Sequence, residues 1–163
     1  MSAQVHKMKV ERFEDLICWQ KARAVTNAVY DLTRLPSFGK DLELVRQLRA
    51  AAVSSMSNIA EGFDRWSRKE LIRFLDIAKG SAGEVRSQLY VAADQHYITP
   101  AQFESTKALS LETSKTIGGL IGYLQNRSQD YVVRESDGVG YSALDLPTEF
   151  CNSGTSALGH LDT

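Results

Sequence analysis

From Leu71 the chain places an apolar or small residue at Leu71, Leu75, Ala78, Ala82, Val85, Leu89 and Ala92, a four-three alternation without a slip. That period marks one face of an α-helix buried against neighbours. Upstream, Val45, Leu48, Ala52, Ser55 and Ile59 step in the same way. Two long amphipathic helices joined by a corner around Trp66 must fold back on each other. A helical hairpin exposes two apolar stripes, so it needs further helices to cover them.

The remaining helices are legible from their ends. The first is predicted from near Phe13, with Cys18, Ala22, Val25, Val29 and Leu32 on its face, and stops where Pro36, Ser37 and Gly39 follow Leu35. Asp41 is the N-cap of the second, which runs to about Arg65 and would be roughly 37 Å long at 1.5 Å per residue. Ser67-Arg68-Lys69-Glu70 reads as a capping box, in which Ser67 and Glu70 each satisfy the other's backbone N–H. The third helix then extends to about Gln95. Gly80 and Gly83 within it cost about 1 kcal/mol each relative to Ala, which predicts close approach of another backbone there.

Thr99-Pro100-Ala101-Gln102 opens the fourth helix with an N-cap, a proline at the first helical position and a second capping box. Its inner face is Phe103, Thr106, Ser110, Thr113, Ile117, Leu120 and Leu124, the most polar of the four, with Gly118, Gly119 and Gly122 near the end. Such a helix either packs very tightly or leaves room for a neighbouring subunit.

With 163 residues the chain is long enough for one domain with a buried core. The predicted organisation is all-α: a flexible arm over residues 1–10, an antiparallel up-and-down four-helix bundle over 11–128, and an irregular acidic tail over 129–163. The tail is rich in Gly, Ser and Asp. Tyr141, Leu144, Leu146 and Phe150 could dock as a short motif, but disorder is the expectation. The formal charge of −1 hides an asymmetry: residues 1–128 hold 18 Lys/Arg against 14 Asp/Glu, and residues 129–163 one Arg against six acids. A mildly basic body with an acidic tail neither requires nor excludes a nucleic-acid partner.

Catalytic chemistry finds little footing. His6, His96 and His160 share no helix face, and H-E-x-x-H, C-x-x-C, G-x-S-x-G and Glu-x-x-His pairs are all missing. Ser54, Ser55 and Ser57 have no neighbouring histidine base and are expected to bond to carbonyls of the preceding turn. Cys18 and Cys151 make no disulfide framework, and Cys18 falls on an apolar face. The expectation is a non-catalytic protein without cofactor or metal. It is also expected to be soluble and cytoplasmic, since no apolar run suits a signal peptide or a membrane span.

The basic residues give the pointed signal. Arg65, Arg68, Lys69 and Arg73 cluster around the corner with Trp66 among them, and Arg46 and Arg49 lie farther back on the second helix. A solvated surface with i,i+3 pairs such as Glu70–Arg73 is one reading. Against it, Arg68 and Lys69 occupy the first turn of a helix, where the dipole disfavours cations and free N–H groups favour phosphate. Asn58 and Glu61, at i and i+3 near the end of the second helix, are expected to satisfy backbone groups where helix ends meet. A polar recognition spot is the alternative. Ser67 and Glu70 complete the structural polar set.

Several spaced motifs carry a resemblance. Gln47-Leu48-Arg49-Ala50-Ala51-Ala52-Val53-Ser54, Ser57-Asn58-Ile59-Ala60-Glu61-Gly62, Ser67-Arg68-Lys69-Glu70 and Ala78-Lys79-Gly80-Ser81 resemble the signature of a small four-helix-bundle family. Phe13-Glu14-Asp15-Leu16 with Trp19-Gln20-Lys21-Ala22 also fits, so the likeness spans roughly residues 11 to 126. Members are encoded by intervening sequences of bacterial large-subunit ribosomal RNA genes, and the family is related to accessory variability proteins of diversity-generating retroelements. This chain has Ser55-Met56 where the family usually has Ile-Pro, which removes a mid-helix kink.

The resemblance implies a homopentamer and an accessory role beside a reverse transcriptase or a ribosomal RNA process. Two classes of function follow: an oligomeric bundle that binds nucleic acid, RNA above all, through phosphates, or a protein-interaction scaffold without nucleic-acid binding.

Overall fold

The computed structural model describes residues 7–65, 67–126 and 144–152. Four helices carry the fold: α1 (Ile17–Thr33), α2 (Leu42–Asp64), α3 (Arg68–Asp94) and α4 (Pro100–Asn126). Each packs on the next and α4 returns to α1, so the helices form a closed four-helix bundle. Two of the predicted caps are made as the sequence reads. The Leu44 N–H donates to Asp41 Oδ1 at 3.0 Å, and Thr99 and Gln102 exchange reciprocal bonds of 2.8 and 3.2 Å.

The core has two halves. At one end, Leu16, Ala22, Ile59, Phe63, Leu71, Leu75, Ile117 and Leu120 meet; at the other, Val29, Phe38, Leu48, Val85, Leu89 and Ile98. Between α2, α3 and α4 the contact is made by small hydroxyl residues. Ser55 donates to the Ala78 carbonyl at 3.0 Å and Ser110 to the Ala82 carbonyl at 2.8 Å, while Ser54 and Ser81 share a 3.0 Å bond. Buried Thr106, Ser110, Thr113 and Ser114 therefore belong to the core of α4. Of the two readings open for this helix, tight packing describes that inner face.

Two expectations for the termini are corrected. Residues 7–10 are not a loose arm: they form strand β1 (Lys7–Val10), paired antiparallel with β2 (Leu144–Pro147). Residues 144–152 of the tail are not irregular material outside the bundle. Leu144, Leu146 and Cys151 are buried with Val10 in the first core half, and Phe150 packs beside Tyr123 with ring centroids 5.3 Å apart. The ladder hides alternate residues, leaving Asp145 exposed between two buried leucines. A short 3₁₀ turn (Thr148–Phe150) and a bridge from Cys151 to Leu16 tie the segment to the start of α1. Residues 1–6, 127–143 and 153–163, with Tyr141 and most of the acidic tail, lie outside the described residues.

The glycine expectation also changes place. A Cβ on Gly80 would meet nothing within 4 Å, and one on Gly83 only the end of Arg86. The close approach is at Gly62, where a Cβ would stand 2.7 Å from Cβ of Phe74. That contact draws the last turn of α2 onto the first turns of α3 and sets the corner.

Candidate nucleic-acid interface

The corner is built on the buried Phe74 ring. With Gly62 against its Cβ, the ring has two guanidinium groups near it, Arg65 at 5.4 Å and Arg73 at 4.4 Å from its centroid. Both arginines are also held by carboxylates of their own helices. Arg65 pairs with Glu61 one turn back, and Arg73 with Glu70 at 3.0 Å. The hydrogen bond from Arg73 holds the Glu70 carboxyl below the usual carboxylate range, with Arg65 and Lys69 adding to the effect; Glu61 in turn raises Arg65. Stacking and pairing leave these two arginines with roles inside the fold.

Arg68 and Lys69 are placed differently. Among the described residues neither side chain makes an ion pair or hydrogen bond, and Lys69 is exposed. The predicted capping box beneath them does not form. Ser67 has the extended backbone of an N-cap (φ −132°, ψ 127°), but its hydroxyl makes no cap bond, and the Glu70 carboxylate is turned towards Arg73 rather than back to the Ser67 N–H. The first N–H groups of α3 thus point outward without a side-chain cap, beside two cations. Over residues 61–73, four cations face three acids, Glu61, Asp64 and Glu70, and the excess positive charge falls on the Arg68–Lys69 pair.

The other two candidate cations are not brought to this place. Arg46 lies about 28 Å from Arg65 along α2 at 1.5 Å per residue, and it pairs with Glu43 at 2.7 Å. Arg49 ties α2 to α1: its Nε donates to Thr33 Oγ1 at 2.8 Å and its guanidinium lies 4.6 Å over the Tyr30 ring. Sequence reasoning missed this tie because the two residues it joins are on another helix. Asn58 turns inward, donating to the Ser54 carbonyl at 2.8 Å and to the Ser54 hydroxyl at 3.1 Å, whereas Glu61 faces solvent with Arg65. The two do not form one polar spot. Trp66 lies outside the described residues.

The nucleophile candidates are chemically quiet. Cys18 is fully enclosed, and burial pushes its thiol up to about 12. Burial, then the charge of Asp15, raises Cys151. A thiol with a raised pKa is neutral and unreactive at physiological pH. No group of three His, Cys, Asp or Glu residues among the described residues could hold a metal ion. His96 sits in the turn after α3, at the opposite end of that helix from the corner. No helix among the described residues is long and apolar enough to cross a membrane.

Comparison with known proteins agrees with this architecture. A family model described as 23S rRNA-intervening sequence protein matches residues 14–119, more than half of the chain. Among solved structures, the chain is similar to a protein of unknown function from the S23 ribosomal protein family of Bacteroides thetaiotaomicron. The identity is 26%, the TM-score 0.61, and the match covers 64% of this chain and 98% of that one. No curated protein matches.

Proposed function

Because this chain belongs to the 23S rRNA-intervening sequence protein family, we propose that it is a non-catalytic bundle that binds RNA phosphates through the α2–α3 corner. The observation that carries this reading is the Arg68–Lys69 pair, two cations that have no ion-pair partner among the described residues, at a helix N-terminus where Ser67 makes no cap bond. The macrodipole makes that position unfavourable for a cation by about 0.3–1 kcal/mol each, so an anionic partner supplies what the fold does not. Phosphate would take the outward N–H groups and both side chains together. Such contacts rest on the nucleic-acid backbone and its charge. The ribosomal RNA context of the family supports RNA over other polyanions, and a role beside an rRNA process or a retroelement reverse transcriptase fits such a partner.

The test is binding of two unrelated RNAs as a function of salt. Arg68→Glu with Lys69→Glu should weaken both equally and flatten the slope of log affinity against log salt by roughly 0.7–0.9 per contact. Arg46→Glu, far from the corner, should leave the slope unchanged. Folding should hold or improve slightly in the double variant, since acids suit a helix N-terminus. Unchanged affinity with intact folding would dismiss the corner as a binding surface.

A second reading, a protein-interaction scaffold, is favoured by glycines that the chain's own packing does not use. Among the described residues a Cβ on Gly80 or Gly122 would meet nothing within 4 Å, and Ile77 and Val91 of α3 are exposed. Assembly into a homopentamer would give them neighbours. Light scattering should then give several times 18.1 kDa, and a monomer at micromolar concentration would remove this reading. Gly118→Leu should lower the mass more than the helicity.

A further inference from the structure

Residues 144–152 have the contacts of a peptide ligand bound to a completed bundle. Their backbone adds to β1 as a second strand, with Lys7 opposite Pro147, Met8 opposite Leu146, Lys9 opposite Asp145 and Val10 opposite Leu144. Leu144 and Leu146 point inward, as alternate residues of an added strand do. Phe150 closes on Gly119, where a Cβ would already touch its ring edge at 3.4 Å. The Asn152 N–H donates to the Asp15 carbonyl at 2.9 Å. Both strands lie outside residues 14–119, the part of the chain that matches the family, so the bundle is defined without them.

The strap reaches its seat from the end of α4 through residues 127–143. Fully extended at roughly 3.3 Å per residue, that stretch spans about 56 Å, longer than α4 itself at about 40 Å. A tether of this reach does not restrict the strap to its own bundle. Every copy carries both the strap and the seat, so the same contacts form within one chain or between two, and effective concentration sets the balance. We propose that the strap is exchangeable, and that the seat beside β1 accepts residues 144–152 of a second copy of this chain.

The ladder supplies its own reporter. Lys9 and Asp145 are register partners on the exposed face, and the native cysteines are buried. Directly opposed strand residues stand close enough for a disulfide with small adjustment. A full-length Lys9→Cys chain is mixed with a full-length Asp145→Cys chain under oxidised glutathione. The covalent heterodimer should exceed that from a Lys9→Cys and Ser105→Cys mixture by about tenfold, because Ser105 is exposed on α4 away from the strap. The Lys9→Cys/Asp145→Cys double variant should cross-link within one chain at any dilution. Adding Leu146→Asp to the Asp145→Cys chain should return the heterodimer to control level, which separates seating from chance collision. A double variant that closes internally, with a mixture that stays at control level, would overturn the proposal. So would a double variant that fails to close.

Discussion

Leu146 offers the most direct measure of what the strap contributes. It is 1% exposed, in the core half that also holds Leu16, Leu71 and Leu75. Truncating such a leucine to alanine costs about 2–5 kcal/mol, a large part of a typical total of 5–15 kcal/mol. For a chain of this size each kcal/mol lowers Tm by about 2–4 °C, so Leu146→Ala should melt roughly 4–20 °C lower. A second inequality follows from the tether. Once the defect at Leu146 exceeds the free energy of seating, the chain releases the strap and keeps the bundle. The loss in Leu146→Ala therefore never exceeds the loss on deleting residues 127–163, whereas Leu75→Ala, inside the bundle, has no such ceiling. Urea unfolding followed by circular dichroism measures all three, and the deletion should also show a smaller m-value because less surface is exposed on unfolding. Reading the tail as disordered would instead lead one to expect little effect from removing it. A Leu146→Ala protein within 0.5 kcal/mol of the parent, with unchanged m, would refute the packing argument.

Three further outcomes are expected. Gly62→Ala should destabilise by about 1–3 kcal/mol through overpacking on Phe74, while Gly80→Ala, which meets nothing, should gain up to about 1 kcal/mol of helix propensity; equal effects would mean that the corner does not approach as closely as described. His96 has φ 57° and carries the Schellman bonds Tyr97 N–H to Ala92 O and His96 N–H to Ala93 O at the end of α3, so His96→Gly should raise stability by about 1 kcal/mol in chemical denaturation. Glu43, Glu70 and Glu112 are all held below the ordinary carboxylate range, first by hydrogen bonds from Gln47, Arg73 and Lys21 respectively. Their folded values lie below the unfolded one of about 4.3, so their stabilisation is complete above that pH and fades as pH falls through the folded values. A stability curve that stays flat between pH 5 and pH 2 would contradict this.

The helices were legible because their information is local. A period of three and four fixed the inner faces of α2 and α3, and the Thr99–Gln102 box formed as written because no other partner competes for Gln102. The Ser67–Glu70 box had the same sequence form and did not form: Ser67 makes no cap bond and Arg73 takes the Glu70 carboxylate, a choice that residue spacing cannot rank. The β1–β2 ribbon was missed for a different reason. Met8 and Val10, like Leu144 and Leu146, alternate over only four residues, and each strand is meaningful only beside the other, far away along the chain. At the corner the sequence located the cations but could not divide them. Phe74 and two acids engage Arg65 and Arg73, and only tertiary placement separates these from Arg68 and Lys69.

The ribbon joins nearly the first and nearly the last of the described residues, which gives the protein a history during its own synthesis. At about 5–20 residues per second, the ribosome needs about 1–4 s to advance from Asn126 to Leu144, and β2 leaves it after all four helices. Until then β1 has an open edge, and Val10 and Leu16 have no strand beside them. The ribbon therefore closes as a late step of folding, once the end of the chain is released.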